Sequence, residues 1–144
     1  MHVAAILKTK GHTIITTRPE ESVATVAQLL HVNRIGAVLA LDTDGSIAGI
    51  VSERDLVRGV AVHGAAALDR PVADFMTRKV STCTPTDTVA SIMERMTQGR
   101  FRHMPVLDHG RLIGFISIGD IVKHRLDEYV QEVESLREYV TGGV

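Results

Sequence analysis

Two long segments of the chain resemble each other, and this internal repeat constrains the fold more than any other feature. The run TTRPEESVATVAQLLHVNRIGAVLALD aligns with TCTPTDTVASIMERMTQGRFRHMPVLD without a gap. After a deletion of one residue in the second copy, GSIAGIVSERDLVR aligns with GRLIGFISIGDIVK. A period of about 65 residues indicates two copies of one supersecondary unit. The equivalent pairs include Pro19 with Pro85, Arg34 with Arg100, Gly49 with Gly114, Ser52 with Ser117, and Asp55 with Asp120.

Each copy predicts the same order of elements. A short β-rich run ends at a proline and precedes an amphipathic helix, whose apolar face carries Val23, Val26, Ala27 and Leu30 in one copy and Val89, Ile92, Met93 and Met96 in the other. Two strands joined by a tight turn follow, and a second helix begins at Ser52 or Ser117. One such unit buries little surface alone. We therefore predict an α+β fold in which two β-α-β-β-α repeats pack with pseudo-two-fold symmetry, plus a C-terminal helix.

The repeat boundaries predict four segments. Repeat 1 covers 1–62, a linker rich in small residues covers 63–71, repeat 2 covers 72–126, and a C-terminal helix and tail cover 127–144. The last helix carries apolar residues at near-helical spacing, namely Val122, Leu126, Tyr129, Val133, Leu136 and Val140. Packing on its own domain and contact with a second copy are both open interpretations of that spacing.

Composition argues against several classes of protein. Aromatic residues make up 3% and the net charge is −1, so neither base stacking nor a basic field favours nucleic-acid binding. No run approaches the roughly 20 apolar residues of a membrane span. Cys83 is the single cysteine, a usage typical of reducing compartments. We expect a cytoplasmic protein that binds neither membranes nor nucleic acid.

The motif G-x-x-S-x-x-D occurs once in each copy, as GIVSERD and GFISIGD. A serine followed three residues later by an acid at a helix start is the pattern of a capping box. Both copies also place a glycine in the preceding strand, which is unfavourable unless a backbone or ligand approaches closely. A carboxylate there can accept hydrogen bonds from a vicinal diol, and the helix N-terminus can hold phosphate. Capping alone and binding of a ribose phosphate therefore both fit the motif.

Together the repeat and its motif closely resemble the tandem pair of cystathionine-β-synthase-type (CBS) repeats, or Bateman module, of the short stand-alone bacterial signal-transduction type. The resemblance implies that AMP, ATP, NAD or S-adenosylmethionine binds in clefts between the repeats. It also implies that Asp55 and Asp120 hold ribose hydroxyls, supported by Ser52 and Ser117. Thr16 and Thr82, on the opening strands, are expected to face these aspartates from the other repeat.

Phosphate also needs a cation, and the two copies offer different ones. Arg54 precedes Asp55 in the first copy, whereas Gly119 precedes Asp120 in the second. Arg102 and His103 are the corresponding candidates in the second copy, and Lys8 is a weaker one. Each arginine is equally compatible with a solvated surface role. We predict that the two clefts differ in affinity or in preferred ligand.

These features favour a regulatory module that senses an adenine nucleotide, signals its occupancy to an unidentified partner protein and catalyses nothing. No nucleotide-hydrolase or nucleophile motif occurs, and the histidines lack metal-ligand spacing, so neither a catalytic cofactor nor a metal is expected. The alternative is an interaction or scaffold protein that binds no ligand. A homodimer is also expected, because the helices carry more apolar residues than a single core can bury. The four residues in question are Met93, Met96, Val57 and Val60.

Overall fold

The computed structural model describes residues 1–142, and these form five α-helices and five strands. In chain order the elements are α1 (Val3–Lys10), β1 (Thr16–Thr17), α2 (Val23–Asn33), β2 (Ala37–Leu41), β3 (Ile47–Ser52), α3 (Glu53–His63), the 3-10 helices Gly64–Asp69 and Val72–Asp74, α4 (Val89–Gly99), β4 (His103–Asp108), β5 (Arg111–Ser117) and α5 (Ile118–Gly142). The predicted α+β class and C-terminal helix are confirmed. The end of the predicted tail, residues 143–144, lies outside the described residues.

The elements form two compact units, and these do not coincide with the sequence repeats. One unit contains residues 14–81, and the other combines residues 1–13 with the chain from Thr82 onward. The N-terminal segment of each repeat therefore packs in the unit that holds the other repeat's strand pair. The boundaries 1–62 and 72–126 mark sequence similarity, whereas folding exchanges these short segments.

The unit of residues 14–81 contains a three-stranded sheet in the order β1-β2-β3. β1 runs parallel to β2, and β2 runs antiparallel to β3 with Val38 opposite Val51. Only Thr16 and Thr17 of the predicted opening strand pair in the sheet. The predicted linker is also ordered: its 3-10 helix buries Ala67 completely, so this segment packs on the unit as part of its core.

The other unit contains the antiparallel pair β4-β5, in which His103 lies opposite Ser117. The predicted opening strand of this repeat is reduced to one parallel bridge, between Cys83 and Val106. The turn between β4 and β5 uses His109 at φ 50° and Gly110 at φ 77°. Two adjacent residues with positive φ suit the tight hairpin turn that matches strand twist.

Local sequence sets the limits of the equivalent helices α2 and α4. The side chains of Ser22 and Thr88 accept hydrogen bonds from backbone amides three residues ahead, at 3.1 Å each. The helices end at Arg34 and Arg100, whose φ angles of 53° and 56° are left-handed. The aligned arginines thus occupy the same backbone state, which supports the sequence repeat at the level of geometry.

The two strand glycines make room for protein segments. A Cβ on Gly114 would lie 2.5 Å from Leu7 Cδ2, because α1 packs against β5 there. A Cβ on Gly49 would lie 2.7 Å from the carbonyl oxygen of Thr77 and 2.9 Å from Met76 Sδ. The close approach predicted from the sequence is therefore made by the exchanged segments within each unit.

Met93 and Met96, on which the homodimer prediction partly rests, pack in the core of their own unit. Met96 is 3% exposed, and Met93 packs against the core formed by α1, α4, β4 and β5. They are therefore not surplus apolar residues, because one core already uses them. Val57 and Val60 on α3 are exposed, as that argument requires.

We predict that Gly49→Ala destabilises the protein more than Gly114→Ala does. The added Cβ at Gly49 meets a backbone oxygen, whereas at Gly114 it meets the end of a flexible leucine. Overpacking of this kind costs about 1–3 kcal/mol in free energy of unfolding, with Gly49→Ala at the upper end. Chemical denaturation measures both values. In a Leu7→Ala background Gly114→Ala should cost much less, and an unchanged cost there would contradict this account.

We also predict that the thiol of Cys83 is inert in the folded protein. Burial, together with the negative charge of Asp87, raises the pKa of this thiol to about 12. Because the thiolate is the reactive species, a maleimide or an aromatic disulfide should label native protein at pH 8 far more slowly than protein in guanidinium chloride. Equal labelling rates in the two conditions would show that Cys83 is accessible.

Candidate functional site

Both copies of the S-x-x-D motif form a reciprocal capping box where a strand turns into a helix. The amide of Asp55 donates to Ser52 Oγ at 3.2 Å, and the amide of Ser52 donates to Asp55 Oδ2 at 2.9 Å. The amides of Asp120 and Ser117 make the same two contacts, at 3.1 and 2.8 Å. Each carboxylate is therefore held in the first turn of α3 or α5 by its own backbone.

The environment of Asp55 leaves little of its carboxylate accessible. Oδ2 accepts from the amide and the hydroxyl of Ser52, and Oδ1 accepts from Arg58 Nη2 at 3.1 Å. The residue is only 3% exposed. Both oxygens already have protein donors, so a ligand at this carboxylate must displace Arg58 or share an oxygen with Ser52.

Asp120 differs in both exposure and partner. Its side chain is 25% exposed, and Oδ2 receives Lys10 Nζ at 2.6 Å in addition to the amide of Ser117. Lys10 also donates to the carbonyl oxygen of Phe115. Oδ1 has no hydrogen-bond partner within residues 1–142. This carboxylate therefore offers one oxygen for a further donor beside the ammonium group of Lys10.

Lys10 and Ser117 also set the charge state of Asp120. Burial by itself would raise the pKa of Asp120, but hydrogen bonds from Lys10 and from the Ser117 amide, with the positive charge of Lys10, lower it below its ordinary value. A carboxyl with a depressed pKa is ionised at neutral pH, and an ionised carboxylate is a pure acceptor. The site thus presents an acceptor for hydroxyl groups.

An imidazole borders this site. His103 lies opposite Ser117 in the strand pair, and its ring stacks on Phe115 with the centroids 5.6 Å apart. Burial lowers the pKa of His103, and the positive charges of Lys10 and Arg102 lower it further against the opposing effect of Asp120. His103 is therefore neutral at physiological pH and offers one donor and one acceptor nitrogen.

Among residues 1–142, the side chains of the remaining predicted site residues make no hydrogen bond to Asp120, Lys10 or His103. Arg54 and Lys8 are exposed and form no ion pair with the described residues, and Arg102 is exposed at the start of β4. Thr16 is exposed on β1, in the unit of Asp55. The carbonyl oxygen of Thr82 accepts from Arg95 Nη2 at 2.6 Å. The roles predicted for these residues stay predictions.

The sequence did not reveal Lys10, Phe115 or Arg58. The contact of Arg58 could have been predicted from its spacing, because it lies three residues after Asp55 on the same helix face. No sequence pattern indicated Lys10, since it is 110 positions from Asp120, and the prediction named Lys8 instead. Phe115 lies in a strand and its side chain stacks on His103, a contact that only the hairpin register creates.

No group of three or more histidine, cysteine, aspartate or glutamate side chains is arranged to hold a metal ion among residues 1–142. Within the same range, no helix combines the length and apolarity needed to cross a membrane.

Comparison with known proteins places this geometry in context. The mitochondrial CBS domain-containing protein CBSX3 of Arabidopsis thaliana is 30% identical over 149 residues, covering 98% of this chain and 72% of that protein. The crystal structure of the CBS-domain containing protein ATU1752 from Agrobacterium tumefaciens is 47% identical with a TM-score of 0.85, covering 87% of this chain and 99% of that one.

A more distant structure shares the fold. The CBS domain pair of protein MJ0100, in complex with 5′-methylthioadenosine and S-adenosyl-L-methionine, superposes with a TM-score of 0.78 at 22% identity and covers 89% of this chain and 98% of that one. The family model for the CBS domain matches residues 6–62 and 72–127. The chain therefore belongs to the CBS-domain family, as a tandem pair of CBS domains.

Proposed function

We propose that this protein is a regulatory module that binds an adenine nucleotide, such as AMP, ATP, NAD or S-adenosylmethionine, and signals its occupancy to a partner protein without catalysis. The observation that carries the proposal is the carboxylate of Asp120. It is ionised, a quarter exposed and held at the start of α5, and its Oδ1 has no hydrogen-bond partner among residues 1–142. A ribose supplies the two adjacent hydroxyl donors that such a carboxylate accepts.

The surroundings of Asp120 suit the rest of a nucleotide. Lys10 lies 2.6 Å from the carboxylate and is 35% exposed, so its ammonium group is able to turn toward a phosphate or to stay on Asp120. The first turn of α5 adds the positive end of a helix, which favours an anion. Arg102 and His103 at the start of β4 are the further candidates for polar contacts.

Asp55, with Ser52, is proposed as the equivalent ribose ligand of the first repeat, but with weaker affinity. Its carboxylate is buried and already paired with Arg58, so a ligand there must displace Arg58 or share an oxygen with Ser52. Arg54, exposed one residue before it, is the phosphate candidate on that side. Thr16, Thr82 and Lys8 are proposed only as peripheral contributors. The predicted asymmetry is thus retained, with burial of the carboxylate as its physical cause.

Relatives support this proposal at the level of the fold. MJ0100, whose CBS domain pair has the same fold, was crystallised with two adenosine-containing ligands. The second candidate function, a scaffold without a ligand, is favoured by one observation: both oxygens of Asp55 already have protein partners. We also propose a homodimer and a cytoplasmic location, the latter because the single thiol, Cys83, is unpaired.

We predict that a panel of AMP, ADP, ATP, NAD and S-adenosylmethionine contains at least one ligand that raises the melting temperature without being consumed. A ligand at about a hundred times its Kd adds roughly 2.7 kcal/mol to the free energy of unfolding. Differential scanning fluorimetry measures the shift, and chromatography of the incubated nucleotide measures turnover. A panel without any shift favours the scaffold, and turnover by pure protein would indicate an enzyme.

We predict that Asp120→Asn weakens nucleotide binding by roughly 1.5–3 kcal/mol, because hydrogen bonds to a charged acceptor are lost. Asp127→Asn, an exposed change on the same helix, is the matched control and should leave the affinity unchanged. Asp55→Asn should reduce binding less. Calorimetry gives each affinity, and the melting temperature without ligand shows whether each variant is folded. A larger loss in Asp55→Asn than in Asp120→Asn would reverse the assignment of the stronger site.

A second pair of variants, Lys10→Met and Lys8→Met, tests whether the ammonium group of Lys10 contacts the phosphate. Lys10→Met should weaken AMP more than adenosine, because only AMP carries the phosphate that an ammonium group attracts. Lys8→Met, two residues away on the same helix and without an ion pair in the described chain, should weaken AMP far less than Lys10→Met does, because Lys8 is proposed only as a peripheral contributor. Arg54→Ala provides the same comparison for the first repeat. Equal weakening of adenosine and AMP in Lys10→Met would show that Lys10 does not touch phosphate.

A further inference from the structure

The C-terminal half of α5 is a helix that buries none of its residues within the part of the chain that the structure describes. Every residue from 129 to 142 is exposed, and Ile121 is the only buried residue described in α5. A free helical segment of roughly 12–15 residues is marginally stable in water, so packing of an apolar face normally supports it. The family match ends at residue 127, so this segment lies beyond the region that the CBS domains explain.

The exposed apolar residues of α5 follow a heptad pattern. They recur at alternating intervals of four and three residues and are between 47% and 72% exposed: Val122, Leu126, Tyr129, Val133, Leu136 and Val140. Alternation of this kind gives a period of 3.5 residues, which is the signature of a two-stranded seam. We call these six residues the α5 stripe.

The residue types in the C-terminal half of the α5 stripe favour a dimer, whereas Leu126 at an a position and Val122 and Tyr129 at d positions do not follow the same rule. Val133 and Val140 fall on the a positions, and Leu136 falls on a d position between them. A β-branched residue at a with leucine at d favours two parallel strands. Val130 and Tyr139, at the flanking e and g positions, are 56% and 80% exposed and widen the apolar surface.

The charges that flank the stripe set its orientation. In a parallel pair a g residue meets the following e residue of the other helix, which brings Glu132 toward Arg137 on both sides of the seam. An antiparallel pair overlapping along the whole stripe would instead bring Glu132 to Glu132 and Lys123 to Arg137. Like charges placed together oppose association, so the parallel arrangement is favoured.

We propose that the α5 stripe pairs with the same stripe of a second copy as a parallel, in-register two-stranded coiled coil. This goes beyond the proposed nucleotide-binding function, because the paired residues lie C-terminal to Asp120 and Ser117. The pairing also places the two copies of α5 side by side. The helix that begins at the proposed ligand site is then the helix that joins the copies.

Disulfide trapping tests the register. In the parallel pair the two copies of residue 136 face each other across the seam, so Leu136→Cys in the full chain should form a covalent dimer under mild oxidation. Ser135→Cys, which lies at an outward c position, is the matched control and should form little. Cys83 is buried, so the wild type gives the background. Absence of a Leu136→Cys dimer, or equal yields for the two variants, would overturn the proposal.

Charge exchange tests the orientation independently. Glu132→Arg and Arg137→Glu should each weaken the dimer in sedimentation equilibrium, by roughly 1.5- to 5-fold in dissociation constant for each contact. The double variant, which restores the opposite charges, should recover the wild-type value. Circular dichroism shows whether α5 remains helical. Failure of the double variant to recover, or trapping only between Leu126→Cys and Leu136→Cys chains, would contradict the parallel pairing. Neither measurement involves a nucleotide, so the two proposals fail separately.

Discussion

The reciprocal hydrogen bonding between a serine and an aspartate at the end of a strand is the interaction on which the rest of this structure depends. It starts α3 and α5, and it fixes a carboxylate at the positive end of each helix. In the function we propose, the contacts that cap the helix also hold the aspartate in position for a ligand. Capping and ligand binding are therefore compatible uses of one geometry, and partners outside the motif decide between them.

The partners of Asp55 and Asp120 differ because each unit contains an N-terminal segment of the other repeat. α1 joins the unit of Asp120 and brings Lys10 to it, whereas Asp55 receives Arg58 from its own helix. The strand glycines exist for the same reason, since Gly114 accommodates Leu7 and Gly49 accommodates Thr77. Two similar sequences thus produce one buried carboxylate and one accessible carboxylate.

Much of the fold was predictable from the sequence, because the repeat and its periodicities are local. The paired helices, the strand hairpins and both capping boxes followed from residue spacing. The exchange of segments did not, since the order of the chain says nothing about which unit a short N-terminal helix joins. Lys10 was missed for that reason. The 3-10 helix at Gly64–Asp69 inside the predicted linker was not foreseen either, because small residues suit both an ordered turn and a flexible connection.

The central claim is that the Asp120 carboxylate accepts the ribose hydroxyls of a nucleotide. Its most direct test is a calorimetric cycle comparing adenosine with 2′,3′-dideoxyadenosine in the wild type and in Asp120→Asn. Loss of the hydroxyls should weaken binding by roughly 1.5–3 kcal/mol in the wild type and by much less in the variant, because the acceptor charge has already been removed. An equal loss in both proteins would contradict the account, since the hydroxyls would then be bound elsewhere.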